Sequence, residues 1–396
     1  RHPAGDLGAG RAAEVRARPR VPVRRRFAAP DVFHGRYIAE SLRALAGAAR
    51  GEDPDLRLTA MRSLTGWPES RVHLFFLEQL EREAVPLAVA LDHFERVRPS
   101  LGAQALDMLR SYVGRLYVSS DWRDAARARA LLPILDAQRA APILIESLAV
   151  WTRRLEAGGG SKRIQHEIVL ELRRISGRSI GAHTERWTMW WKAVREGRVE
   201  TVEDTLDAGG SVTQSTFFGL NPVTDRVIFV IDRSGSMKSA FGTGGRSRYQ
   251  EAVEQMLTFV ERLGQETRFS VTLFSHDGVR WKPGLVRAND SNLNGARRWL
   301  ESKQPDGGTM LRAGIDTALD LDRTGRIDLE RIEADTVIVL CDGATSEGRA
   351  WVEPWLERAN DAAQLVFHCV QIGRFGDGTL EDLAAGTGGD FVTIDR

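Results

Sequence analysis

The spacing of apolar residues changes once along this chain, near residue 203, and the change divides it. Over residues 34–202 apolar positions recur every three or four residues with short polar breaks, which predicts helices almost throughout. Leu58, Met61 and Leu64 open the pattern, and further helical segments are expected at 72–83, 86–97, 101–116, 122–137, 140–155 and 163–175. Pro86 and Pro142 fall near the starts of their segments, where a missing N–H costs nothing. From residue 224 the texture differs: short apolar runs at 226–231, 269–274, 336–341, 365–372 and 391–394 alternate with helical patterns at 249–263, 292–303, 310–321, 351–359 and 380–385. Runs too continuous to be half-exposed strands, separated by helices, predict a doubly wound, Rossmann-like α/β domain with a mostly parallel sheet covered on both faces.

Between the two, residues 203–223 contain Asp207-Ala208-Gly209-Gly210-Ser211 and Asn221-Pro222 and read as a linker that packs partly through Phe217 and Phe218. Residues 1–33 carry Arg1, Arg11, Arg16, Arg18, Arg20, Arg24, Arg25 and Arg26 among Gly, Ala and Pro, and read as a disordered basic arm. Without aromatic residues between the arginines, contact with nucleic acid or an acidic partner is the lesser reading of that arm. The expected organisation is therefore an arm at 1–33, an all-α domain at 34–202, a linker at 203–223 and an α/β domain at 224–396.

Composition narrows the function classes. A length of 396 residues exceeds one typical domain, and 28% charged residues with a net charge of +1 give no global pull toward nucleic acid or acidic lipid. No stretch of about 18 uninterrupted apolar residues is present, so no membrane span is expected. The two cysteines, Cys341 and Cys369, lie in apolar runs and read as buried small hydrophobes. The chain starts at Arg1 without a methionine and reads as a fragment or processed product, which leaves the compartment open.

The helical half resembles HEAT-like repeat proteins: segments of 12–17 residues joined by short turns, each too small to bury its apolar face alone. Its closing segment, Leu172-Arg173-Arg174-Ile175-Ser176-Gly177 followed by Trp187-Thr188-Met189-Trp190-Trp191-Lys192, resembles the Gly turn and tryptophan-rich helix that end the array in bacterial proteins of this kind. Trp187, Trp190 and Trp191 share a helix face, where a packing role outweighs a ligand platform.

Chemistry concentrates at the strand ends of the second half. The run ending at Ile231 is followed by Asp232-Arg233-Ser234-Gly235-Ser236, a second run ends in Cys341-Asp342-Gly343, and Gly307-Gly308-Thr309 precedes a helical pattern. If the runs at 226–231 and 336–341 flank the point where strand order reverses, Asp232 and Asp342 become neighbours at the edge where open α/β sheets bind ligands. Carboxylates and hydroxyls are hard oxygen donors suited to Mg²⁺ or Mn²⁺. Gly307 and Gly308 are expected to let the backbone approach the ion, and a sparse shell leaves a position for a carboxylate from another protein. Arg233 is expected to face solvent. The Gly-rich loop at 241–247 is placed on the rim, as a determinant of partner choice or as spacer.

Residues 224–396 resemble a von Willebrand factor type A domain, and Asp232, Ser234, Ser236, Thr309 and Asp342 match all five positions of its metal-ion-dependent adhesion site (MIDAS). That resemblance implies that Ser234, Ser236 and Thr309 contact the ion directly or exchange with water, while Asp232 and Asp342 act largely through water or hydrogen bonds. It implies a non-enzymatic, Mg²⁺-dependent module that captures an acidic group of a protein partner, with the helical array as a second interaction scaffold. An alternative makes the helical array the recruiting surface and the metal a stabiliser only. A phosphotransferase of the haloacid-dehalogenase type would use Asp232 as nucleophile but needs an acid where Ser234 stands. Gly177-Arg178-Ser179-Ile180-Gly181 has the spacing of a nucleophile elbow, yet a helix precedes it. Ser275-His276-Asp277 are consecutive, so their side chains cannot align as a relay.

Overall fold

Local capping decides where the helices begin, and parity decides how they pack. The computed structural model describes residues 40, 43–51, 53–199, 217–220, 222–243 and 245–394, so the basic arm and most of the linker lie outside the described residues. Eight helices of the first half are α1 Pro54–Leu64, α2 Ser70–Glu81, α3 Leu87–Val97, α4 Ala103–Val118, α5 Trp122–Leu131, α6 Ala137–Glu156, α7 Lys162–Ser176 and α8 Thr184–Arg195. Asp53, Asp121, Asp136 and Ser161 accept hydrogen bonds from first-turn N–H groups and so fix the starts of α1, α5, α6 and α7. Gly177, at φ 63°, ends α7 in the left-handed conformation.

Two expectations shift here. The segment expected at 122–137 breaks at a 3-10 turn, Leu132–Ile134, because Pro133 supplies no N–H and Asp136 caps a new helix. Consequently α6 starts at Ala137, Pro142 stands inside it rather than near its start, and the bond its N–H would have made is lost.

Even-numbered helices pack on one another in the order α2, α4, α6, α8, and odd-numbered helices in the order α1, α3, α5, α7. The result is a two-layer stack of helical hairpins whose apolar faces meet between the layers. Trp187 is buried, and its ring meets that of Trp190 edge to face, which confirms a packing role for the tryptophan helix. Met189, on the same helix, is exposed.

The second half forms a seven-stranded sheet: β1 Arg226–Asp232, β2 Arg268–Phe274, β3 Gly278–Arg280, β4 Val286–Arg287, β5 Thr336–Cys341, β6 Val366–Ile372 and β7 Phe391–Ile394. Strand order is β3-β2-β1-β5-β6-β7, with β4 also on β2; β3 and β4 are antiparallel to β2 and every other pairing is parallel. These two short strands escape the sequence pattern because two or three residues show no periodicity. Helices α9 Arg248–Leu263 and α10 Asp290–Glu301 cover one face, where Val227, Phe229 and Ile231 pack with Met256 and Leu300. On the other face Ile228, Val230, Val337 and Val339 join α11 Leu311–Ala318, the short α12 Val352–Trp355 and α13 Thr379–Thr387.

That second face shares one continuous hydrophobic cluster with the helical stack. The odd-numbered layer makes the junction. Arg62 on α1 pairs with Glu357, the Leu87 N–H at the start of α3 donates to Asp361 Oδ1 at 3.1 Å, and Arg123 on α5 donates to the carbonyl of Ile332 at 2.8 Å. At the amino ends of the strands, Asp335 is fully buried and accepts from Ser161 Oγ at 2.8 Å, Thr224 Oγ1 at 2.7 Å and Thr336 Oγ1 at 2.9 Å. Arg163 on α7 donates to the Asp335 and Gln364 carbonyls at 2.7 and 2.8 Å.

A shared core predicts that both halves unfold together. Asp335→Ala strips three hydroxyls of their acceptor in a buried junction and is expected to lower the stability of the full chain by about 3 kcal/mol. Denaturant unfolding followed by circular dichroism checks this; a change under about 1 kcal/mol contradicts the role given to Asp335.

Candidate metal centre

β1 and β5 are neighbours in parallel register, Ile231 opposite Leu340, so the loops leaving them emerge side by side at the carboxyl edge of the sheet. The chain leaves β1 for β2 on one side and returns at β5 on the other, which makes this the switch point. Asp232, the last residue of β1, is fully buried. Its Oδ1 accepts the Ser234 N–H at 2.6 Å, and its Oδ2 accepts from Cys341 Sγ at 3.2 Å and Asp342 N at 3.4 Å. A 3-10 turn, Gly235–Lys238, then brings Ser236 back toward Ser234. The two hydroxyl oxygens are 2.9 Å apart, and Ser236 Oγ donates to Asp342 Oδ1 at 2.7 Å. Asp232, Ser234, Ser236 and Asp342 thus form one unbroken series of polar contacts.

Thr309 reaches this cluster through its loop. Gly235 N–H donates to the Gly307 carbonyl at 3.1 Å, and Ser346 N–H, just beyond Asp342, donates to the Thr309 carbonyl at 3.0 Å. Loops after β1 and β5 therefore clasp the Thr309 loop between them. Met310 N–H adds a bond to the Ser275 carbonyl at 2.7 Å, which ties in the loop after β2.

Three further contacts shape this edge. Gly307 and Gly308 make room for a side chain: at φ +86° a Cβ on Gly307 would stand 2.8 Å from the His276 ring, and one on Gly308 would stand 3.3 Å from it. Arg233 is partly exposed and also donates to the Gln304 carbonyl at 3.0 Å and to Ser275 Oγ at 3.2 Å, lacing two loops together. Residues around the 241–247 loop form a hairpin-like turn, Ala240 bridged to Ser247, that delivers the capped start of α9.

That helix start contributes a residue the motif did not include. Arg248 Nη1 donates to Asp342 Oδ2 at 2.8 Å, with the Asp342 side chain almost fully enclosed. Arginines are too common in this sequence for Arg248 to stand out, and only the turn at 240–247 aims it at the cluster. Cys341 is the second addition, a buried thiol donor to Asp232 whose pKa burial pushes well up. Ser275-His276-Asp277 form the tight turn between β2 and β3, with Ser275 N–H bonded to the Asp277 carbonyl at 3.0 Å. Gly177 follows a helix, as expected for a turn between helices.

The donor set is oxygen-rich and hard. Among the described residues no group of three or more His, Cys, Asp and Glu is placed to hold a metal, so a cation here would depend on the serine and threonine hydroxyls together with the aspartates. The donors to Asp232 are neutral, and burial pushes its carboxyl from the ordinary 3.8 up to about 6. With the folded value raised, the unfolded chain gives up this proton first, so the stability contribution is complete below pH 3.8 and is lost as pH rises toward about 6. In EDTA, Asp232→Asn should therefore gain on the parent protein by about 1–3 kcal/mol between pH 4 and pH 7, read from denaturant midpoints. A difference that does not move with pH contradicts this account of the buried carboxylate.

Residues 225–392 match the family profile described as the von Willebrand factor type A domain. Curated relatives include inter-alpha-trypsin inhibitor heavy chain H2 of Mesocricetus auratus, 31% identical over 131 residues that make 33% of this chain and 13% of that protein. Another is heavy chain H3 of Homo sapiens, 32% identical over 161 residues, 40% of this chain and 17% of that one. The chain thus spans less than a fifth of the length of these relatives. Among solved structures, von Willebrand factor type A from Catenulispora acidiphila is 20% identical with a TM-score of 0.33, covering 45% of this chain and 40% of that one. Proximal thread matrix protein 1 from the mussel byssus, solved with a zinc-occupied MIDAS motif, is 19% identical with a TM-score of 0.31, covering 42% and 40%. The α/β half of this chain is a von Willebrand factor type A domain, preceded by an all-α region.

Proposed function

We propose that this protein is a non-enzymatic binding protein whose type A domain captures a carboxylate of a protein partner through Mg²⁺ or Mn²⁺. The observation that carries the reading is the contact series from Asp232 through Ser234 and Ser236 to Asp342, clasped against the Thr309 loop at the switch point. Ser234, Ser236 and Thr309 would hold the ion through their hydroxyls, with Asp232 and Asp342 supporting it through charge and hydrogen bonds. When bound, the ion supplies an open coordination position for a partner's carboxylate oxygen.

The same geometry speaks against phosphotransfer. A nucleophilic aspartate must be reached by its substrate, whereas Asp232 is fully buried and its oxygens face Ser234 N–H, Cys341 and Asp342. Ser234, where such chemistry needs an acid, instead shares a hydrogen bond with Ser236. The HEAT-like stack would serve as a second interaction scaffold. Its odd-numbered layer is committed to the type A domain at the amino ends of the strands, which keeps the stack away from the oxygen cluster at the carboxyl ends.

Saturating Mg²⁺ or Mn²⁺ should raise the melting temperature of the full chain on the order of 5 °C, reversed by EDTA. Ser234→Ala and Ser236→Ala should each remove most of that rise, measured against each variant's own metal-free melting temperature, which loss of one hydrogen bond lowers by about 2 °C; no shift in the parent protein would sink the metal site. Partner capture from the source cell, eluted by chelator, completes the test. Capture indifferent to EDTA and to Ser236→Ala assigns recruitment to the helical array instead.

A further inference from the structure

One side of the oxygen cluster is bordered by the turn between β6 and α13, residues 373–378, and that turn carries an aromatic ring into solvent. Phe375 is 86% exposed, the most exposed large hydrophobic side chain among the described residues. Single exposed apolar residues are ordinary on protein surfaces, so exposure alone assigns nothing. Position and support distinguish this one. A Cβ on Gly343, the residue after Asp342, would stand 3.8 Å from the Phe375 carbonyl, and a Cβ on Gly373 would stand 3.9 Å from the Asp342 carbonyl and 3.6 Å from Arg248 Nη2. The turn therefore lies directly against the strand end that carries Asp342.

It is also held at both ends. Gly373 N–H donates to the Ile394 carbonyl at 2.7 Å, and Gln371 Nε2 donates to the Gly373 carbonyl at 2.9 Å. Asp377 Oδ2 accepts from Thr345 N and Oγ1 at 3.0 and 2.8 Å, and its Oδ1 accepts from Thr379 N at 3.0 Å. Gly376 packs directly against the Gln371 carboxamide, since a Cβ there would stand 1.9 Å from Gln371 Oε1 and would displace that side chain. With the turn held at both ends, binding has only the ring's two side-chain torsions to order, the property that makes aromatic side chains binding anchors.

Arg248 sets the charge of the same rim. Its guanidinium neutralises Asp342, so two carboxylates count as one, and a divalent ion would leave the loaded site net positive and selective for an anion. We infer that the Phe375 turn is the second half of the binding face, and that the partner presents a carboxylate flanked by an aromatic or branched aliphatic side chain that packs on Phe375. The inference rests on the metal-dependent carboxylate capture proposed above and names the partner chemistry of that site.

A random 12-residue peptide display library selected on the full chain in Mg²⁺, with elution in EDTA, tests it. Expected clones carry Asp or Glu with an aromatic or branched aliphatic residue within about two positions. A synthetic peptide from that selection should bind Phe375→Ser about tenfold more weakly than the parent by fluorescence anisotropy. The Mn²⁺ affinity of Phe375→Ser, measured by calorimetry, should stay within about twofold of the parent, which separates loss of the anchor from damage to the cluster. Acid-bearing clones with no apolar preference, or Phe375→Ser within about twofold on the peptide, overturn this inference alone. Absence of any Mg²⁺-dependent clone overturns the carboxylate-capture reading and this inference with it.

Discussion

The parallel pairing of β1 with β5 is the constraint on which the rest of the molecule turns. In-register hydrogen bonding over Val227 to Ile231 sets two apolar runs side by side although more than a hundred residues separate them in sequence. Both faces of these strands must be covered, which calls for α9 and α10 on one side and for α11, α13 and the helical stack on the other. The same pairing ends with Asp232 and Asp342 next to each other where the covering helices have turned away. Core and site are thus two ends of one pair of strands.

The strand texture was legible because a strand buried on both faces must be apolar at every position, and Val337 to Leu340 shows that without any alignment. The strand-end aspartates were legible for a related reason: a carboxylate immediately after such a run has little purpose in packing. Parity was not legible. Nothing in the spacing of Leu58, Met61 and Leu64 tells that the odd-numbered helices form one layer and that this layer is spent on the type A domain, since an amphipathic pattern states which face is buried and not against what.

Asp335 and Arg248 show why individual polar residues resist reading. Glu333-Ala334-Asp335 has the look of a solvated acidic turn, and only the docking of α7 encloses the carboxylate with Ser161 and Thr224. Arg248 opens a helix like any exposed basic residue, and only the bridge from Ala240 to Ser247 swings it onto Asp342. In both cases a long-range contact supplies the meaning, and no local period carries it. Pro142 is the converse case: local propensity argued for a helix start, while the Asp136 cap and the packing of α6 carried the helix through it.

Two fully buried aspartates at opposite ends of the sheet make the division of labour physical. Asp335 gathers three hydroxyl donors, with Arg226 Nη2 at 3.9 Å, so its charge is compensated inside the protein and serves to fasten two layers. Asp232 receives neutral donors, is held up at about 6 by its burial, and lies beside a second carboxylate that already has its arginine. Burying such a carboxylate costs stability that an apolar residue of similar size in that place would often spare. The buried carboxylate at the carboxyl edge stands behind the Ser234 and Ser236 hydroxyls that the proposed cation would need, and the one at the amino edge fastens the helical stack at the opposite end of the sheet.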